Sequence, residues 1–314
     1  MGRFNELETF LRIVDAGSIT AAADQLEIAK SAVSRRLRDL ETRLGVQLLQ
    51  RTTRTQSLTD AGHDLYRRAR QLLDDLDEAE QSVLSQQNEA VGRIRLAAPD
   101  TFGHRHLGPA LCDFLTLHPR VELDLDLDDR RVDLLAEGFD LAVRIAELED
   151  SSLLARRLAT TEHVACASPR YLAEHGEPKT PLDLTGHRCL TYSRSARPGQ
   201  WTWIDEHGGA HDVAVGSQLR ASSGELLTSA AIAGQGIALE PDFIVHEAIE
   251  TGALQIVLGA VRWRQLDIWA IWPPGRFLPH RVRLLIDFLA ERFAGVPYWQ
   301  RCLARRRGTG PAAR

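Results

Sequence analysis

Apolar residues recur at helical spacing through the first 45 positions and then alternate with polar ones, so the chain opens as a small helical head followed by a hairpin. Phe4, Leu7, Phe10, Leu11 and Val14 share one helical stripe, which Gly17 ends. A second helix follows, with Ser18 or Thr20 as its cap, and the small residues of AAADQL let another helix approach closely. After a turn at 27–29, Val33, Leu37, Leu40 and Leu44 predict a third helix over 30–44 with all four facing inward, closed by Gly45. The stretch VQLLQRTTRTQSLT predicts two short strands around a basic tip at 51–54.

Thr59 and Asp60 open a longer helix. Along it Leu65, Ala69, Leu72, Leu76, Ala79 and Val83 are spaced four, three, four, three and four, an a/d seam suited to dimerisation. A run over 60–86 spans roughly 40 Å, long for a helix that packs only on its own domain. From Gly92 the texture alternates strand, helix, strand: RIRLAAP, FGHRHLGPALCDFLTLHP, VELDLDLDDR, RRVDLLAEG, FDLAVRI. This predicts a mostly parallel α/β sheet. A second such unit occupies about 162–264, and LDIWAIWPP with HRVRLLIDFLAERF returns to the first. VELDLDLDD carries acids on one face and aliphatics on the other, so it belongs at a sheet edge or against a partner.

Charge sharpens the reading of the head. The whole chain of 314 residues carries −5, yet 30–54 holds seven basic residues against two acidic ones, +5 net, leaving −10 elsewhere. Opposite the apolar stripe of the third helix lie Lys30, Ser31, Ser34, Arg35 and Arg38, short or basic side chains of the kind that enter a major groove about 12 Å wide. Arg51 and Arg54 then form the tip of a wing along the phosphate backbone, and double-stranded DNA is the expected partner.

The segments FLRIVDAGSITAAADQL, SAVSRRLRDLETRLGVQLLQRTTR and LTDAG, in that order and spacing, resemble the LysR-type transcriptional regulators. The likeness continues through FGHRHLGPAL, RVDLLAEGFDLAVRIAELEDSSLLARRLA and ASPRYLAEHG, and looks closest to the branch typified by regulators of small organic acid metabolism. It implies an α/β multidomain fold: a winged helix-turn-helix at 1–58, a linker and dimerisation helix at 59–89, and a two-lobed, periplasmic-binding-protein-like effector domain at 90–297. Lobe I would take 90–161 and 266–297, lobe II 162–265, and 298–314 would be a basic, flexible tail. It also implies that Lys30, Ser31, Ser34 and Arg35 approach bases while the wing arginines touch phosphate. The chain departs from the family at Ala29, where Ser or Thr is usual, so the third helix lacks a cap worth roughly 1 kcal/mol. Lys30 in the first turn opposes the helix dipole, which points to an anionic partner.

A cleft between two lobes receives a small ligand at strand ends and helix starts. Three segments qualify: Asp100, Thr101, Phe102 and Gly103 after the first strand, Arg144 at the end of FDLAVRI, and Ser222, Ser223 and Gly224 at the start of the SSGELL helix. Hydroxyls, backbone N–H groups and a guanidinium suit a carboxylate. The competing reading is structural: Ser222 and Glu225 form a capping box, and Arg144 pairs with nearby acids. His104 and His106 lie two apart on a helix, so they diverge and read as ordinary helix residues or, failing that, effector contacts. Four dispersed cysteines read as buried, reduced thiols. No GxSxG, HExxH or P-loop is present, and neither a cofactor, a metal nor an enzymatic activity is expected. The expected assembly is a cytoplasmic homodimer or homotetramer that touches RNA polymerase, with no membrane partner, since no stretch approaches roughly 20 apolar residues.

Overall fold

A computed structural model of the chain describes residues 3–51, 56–84, 90–148, 152–274 and 278–306. Three helices, α1 (Arg3–Asp15), α2 (Ile19–Gln25) and α3 (Lys30–Leu44), build the head. Ser18 is the cap of α2, accepting from the Ala21 amide at 3.1 Å. At α3, Ala29 supplies no side-chain cap, and Gly45 ends the helix with φ 72°. Phe10, Ile13, Ala22, Val33, Leu37 and Leu40 close one core. Leu44, expected to face inward, is instead 40% exposed, because the chain turns away at Gly45 before a further element covers it.

A hairpin follows, β1 (Leu49–Arg51) against β2 (Gln56–Leu58), antiparallel. Glu41 of α3 ties it to the helices by accepting from the Leu48 amide at 2.8 Å. The long helix α4 (Asp60–Leu84) starts under Thr59, whose hydroxyl accepts from the Gly62 amide at 3.0 Å. Gly62 has to be glycine, since a Cβ there would sit 2.1 Å from the Leu48 carbonyl oxygen.

The C-terminal body begins with β3 (Gly92–Ala98) and a helix in three parts: α5 (Asp100–Phe102), a π-helical turn at Gly103–Leu107, and α6 (Gly108–Leu117). Next come β4 (Val121–Leu127), a single turn α7 (Leu134–Glu137), β5 (Leu141–Ala146) and β6 (Leu154–Ala167). Then follow α8 (Pro169–His175), β7 (Cys189–Tyr192), β8 (Gln200–Ile204), β9 (Ala210–Ala214), β10 (Ser217–Ala221), α9 (Gly224–Ile232), β11 (Ile237–Pro241) and α10 (Asp242–Glu250). The chain closes with β12 (Gln255–Ile256), β13 (Arg262–Trp263), β14 (Gln265–Trp272), α11 (His280–Arg292) and α12 (Tyr298–Arg306).

One strand path runs β10-β7-β11-β6-β14-β5-β3-β4, with β12 beside β6. The acidic strand β4 is its outer edge. The sheet is mixed rather than mostly parallel: β3, β4 and β5 run parallel in one lobe and β7, β10 and β11 in the other, but β6 and β14 pair antiparallel to their neighbours. These two strands carry the chain from one lobe to the other and back, so they run opposite to each other. The 14-residue β6 pairs with β14 from Leu154 to Glu162 and with β11 from His163 to Cys166, which places the boundary assigned at 161/162 inside a continuous strand. A separate sheet, β13-β8-β9, packs Trp201 against Trp263 edge to face.

Two expectations fail here. The segment 298–306 is no flexible tail: Trp299 is 0% exposed and joins the main core through Phe102, Phe243 and Phe293, with Leu303 buried one turn further on. The run of arginines masked an apolar face only two residues wide. Residues 307–314 lie outside those described. Cys112, read as buried, is exposed on α6, while Cys166 and Cys189 are buried.

Candidate nucleic-acid interface and ligand cleft

On α3, burial alternates as a recognition element requires. Val33, Leu37 and Leu40 are buried; Lys30, Ser31, Arg35 and Arg38 are exposed and Ser34 is half-buried beside them. Lys30 and Arg35 make no ion pair among the described residues, and Arg38 donates to the Ser34 carbonyl at 3.3 Å. The structure separates these cations from two others counted in the basic cluster. Arg43 bonds Glu6 of α1 at 2.7 Å, and Arg36 donates to the Thr9 hydroxyl at 3.2 Å. Both act as struts between α1 and α3 and are spoken for. Of the wing arginines, Arg54 lies outside the described residues, as does the side chain of Arg51; the backbone of Arg51 pairs with Gln56.

Along α4, Leu65 packs on the head core and Ala69 is buried, whereas Leu72 is 57% exposed and Leu76 half-buried. The side chains of Ala79 and Val83 lie outside the described residues. Tyr66 and Arg70 both reach Asp15 of α1, at 2.5 and 2.9 Å, and lock the first turns of α4 to the head.

Between the lobes lies a cavity of about 780 Å³. Thr101, Phe102 and Arg144 stand on its wall from lobe I, opposite Tyr192, Trp201 and Glu240 of lobe II. Gly103, Ser222 and Ser223 are not on the wall. Gly103 faces the back of the helix, where a Cβ would lie 2.4 Å from Leu127 Cδ2. Ser222 is exposed, and Ser223 is the cap of α9, accepting from the Leu226 amide at 3.4 Å. The capping box expected between Ser222 and Glu225 does not form, because the cap of α9 is Ser223, one residue later; Glu225 instead bonds Arg105 across the lobes at 2.5 Å. What α9 offers the cavity is the backbone of Gly224.

Arg144 does not pair with an acid among the described residues; its guanidinium donates to the Val132 carbonyl. Burial, with Arg131 close by, lowers its pKa. Two contacts bridge the mouth: the Tyr192 hydroxyl donates to Asp129 at 2.9 Å, and Arg194 bonds Asp128 at 2.7 Å. Burial pushes the Tyr192 hydroxyl up, with Asp129 adding to the effect. Glu240, on β11, is 2% exposed, its Oε1 has no hydrogen-bond partner, and burial raises its pKa well above the usual carboxylate range. Sequence reasoning passed over it, although an acid inside the apolar run IALEP was a readable signal. His106 is off the wall, in an aromatic cluster, with one ring nitrogen bonded to Tyr298 and the other 3.0 Å from the Phe243 carbonyl; burial lowers its pKa to about 4. His104 is exposed on the far side. No group of three metal-binding side chains and no helix long and apolar enough to span a membrane occurs among the described residues.

Residues 4–63 match the bacterial regulatory helix-turn-helix protein, lysR family, and residues 87–294 match the LysR substrate binding domain. The chain belongs to the LysR family of transcriptional regulators. An uncharacterized HTH-type transcriptional regulator of Haemophilus influenzae is 36% identical over 90% of this chain and 98% of its own length. Among solved structures, CrgA, a LysR-type transcriptional regulator from Neisseria meningitidis, is 34% identical with a TM-score of 0.60, covering 93% of this chain and 99% of that one. The Vibrio cholerae virulence activator AphB is 28% identical with a TM-score of 0.58, covering 92% and 99%. As a LysR-type regulator, the protein joins a DNA-binding head to an effector-binding domain, and the two sites described above fall one in each.

Proposed function

We propose that this regulator binds a dyad operator as a homodimer or homotetramer and responds to a small organic acid held between its lobes. The observation that carries this is the division of labour on α3: the same helix seals the head core with Val33, Leu37 and Leu40 and presents Lys30, Ser31 and Arg35 to solvent beside the half-buried Ser34, with no ion pair on either cation among the described residues. An unneutralised cationic strip on an acidic protein is a phosphate-binding surface. Exposed Leu72 on α4, flanked by charge, supports pairing of two copies, which would set two heads on successive half-sites about 34 Å apart. Arg144, without a carboxylate of its own, supports an anionic effector. Ligand in the cleft would change the angle between lobes, and through α4 the spacing of the heads, altering contact with DNA or RNA polymerase. The protein works in the cytoplasm in this reading. A gel-shift titration with DNA upstream of its own gene tests it: a saturable retarded complex that survives random competitor duplex is expected. Absence of such a complex with any promoter-proximal fragment refutes operator binding.

A further inference from the structure

On the cleft wall two ionisable side chains stand without an oppositely charged partner among the described residues, one on each lobe. Arg144 lies within β5 on lobe I, where its guanidinium donates to the Val132 carbonyl and pairs with no acid among the described residues. Glu240 lies in β11 on lobe II, buried, with Oε1 making no hydrogen bond. A buried carboxyl with an unsatisfied oxygen works against folding, and such groups persist where a ligand completes them. The surrounding fold is shaped to keep it there. Gly224 faces it across the wall, where a Cβ would meet Glu240 Oε2 at 2.8 Å and Ile244 Cδ1 at 2.6 Å. Any other residue at 224 would push the carboxyl out of place.

Building on the reading of the cleft as an organic-acid site, we propose that the effector is a hydroxylated monocarboxylate, its carboxylate on Arg144 and its hydroxyl donating to Glu240. The two anchors belong to different lobes, so one small molecule ties the lobes together. Charge chooses among the alternatives. Glu240 is almost fully buried with Oε1 unpaired, and burial together with Glu225 raises its pKa and so favours the neutral carboxyl, which suits a neutral hydroxyl. An ammonium would require Glu240 to ionise where it is almost fully buried, and a second carboxylate there would be worse. Thr101, whose hydroxyl makes no hydrogen bond among the described residues, stands on the same wall beside Phe102 and next to the apolar Val143 and Leu239, which leaves room for a hydrocarbon or ring body. The 780 Å³ volume lies in the range of small-molecule sites.

The test uses the full chain and matched probes in a thermal-shift titration: pentanoate, its 2-, 3- and 4-hydroxy derivatives and norvaline; phenylacetate, mandelate and phenylglycine. At least one hydroxy acid is expected to raise the melting temperature, with its parent acid at least about tenfold weaker, as sites built around a hydroxyl discriminate strongly. Glu240→Leu should melt higher than the wild type without ligand and lose the discrimination between hydroxy acid and parent. Arg144→Gln should lose both classes. If parent and hydroxy acids bind alike and Glu240→Leu changes neither, the cleft remains an organic-acid site but the role of Glu240 is refuted. A preference for the amino acids overturns the neutral-hydroxyl assignment. If Glu240→Leu melts lower and binds unchanged, Glu240 is merely structural and the proposal fails. No shift with any probe overturns the proposal together with the organic-acid reading.

Discussion

Replacing Lys30 by alanine should move stability and DNA binding in opposite directions. The side chain is exposed at the first turn of α3, where Ala29 leaves the amides uncapped and the helix dipole disfavours a cation. With no acid pairing it among the described residues, removal should leave the head as stable as before or more stable by about 0.3–1 kcal/mol. Binding should weaken, and the salt dependence gives the sharper reading. Each phosphate contact adds about 0.9 to the slope of log K against log salt, so losing one lowers the slope by about 0.9. Between 50 and 200 mM salt the advantage of wild type over Lys30→Ala should therefore shrink by about 3.5-fold. Arg43→Ala is the internal control. Its guanidinium is held by Glu6 at 2.7 Å, so it should cost the head up to about 1 kcal/mol and leave the slope unchanged. Fluorescence anisotropy on a duplex selected by the protein from random sequence, read at four salt concentrations, measures both. An unchanged slope in Lys30→Ala, or an equal drop in Arg43→Ala, refutes the division of the arginines and lysine into contacts and struts.

Trp299→Ala should destabilise the effector domain by about 3–5 kcal/mol, since a fully buried indole leaves a cavity against Phe102, Phe243 and Phe293. A chain truncated at 297 should show the same loss in urea denaturation; an unaltered midpoint would mean that α12 is not docked. Asp242 predicts a pH effect. It is 1% exposed at the start of α10, and burial raises its pKa from 3.8 to about 6 against the opposing hydrogen bonds from Thr161 at 2.6 Å and the Glu162 amide at 3.1 Å. Because the folded state holds this proton more tightly than the open chain, stability is favoured below about pH 4 and lost as pH rises through about 6, by about 3 kcal/mol in all. Subtracting the pH profile of Asp242→Asn from that of wild type should isolate that slope; a flat difference would contradict it.

The head was legible because its contacts are short in sequence. Val33, Leu37 and Leu40 repeat every three or four residues, Ser18 and Gly45 mark helix ends, and burial follows the helical period except at the outlying Phe4 and Leu44, both exposed. The edge position of β4 was legible for a similar reason, since alternating acids and aliphatics permit only one covered face. Of the cleft residues expected from helix starts and strand ends, Thr101, Phe102, Arg144 and Gly224 reach the wall, while Asp100, Gly103, Ser222 and Ser223 do not. A helix start fixes where backbone amides point, but which neighbouring side chain meets the cavity depends on how the helix is rolled against its sheet.

Periodicity, capping and charge density thus determined most of the elements and the exposed cationic strip on α3, and the ordered motifs carried the resemblance to the family. Tertiary structure alone decided which cations are free and which are struts, because Arg36 and Arg43 find partners 27 and 37 positions away. It also decided that an arginine-rich end docks through a buried tryptophan, that β6 runs unbroken from one lobe into the other, and that a lone acid in an apolar strand comes to rest on the wall of a cavity. Pairing and desolvation depend on distance in space, and a chain folded through a mixed sheet brings together residues that no local pattern relates.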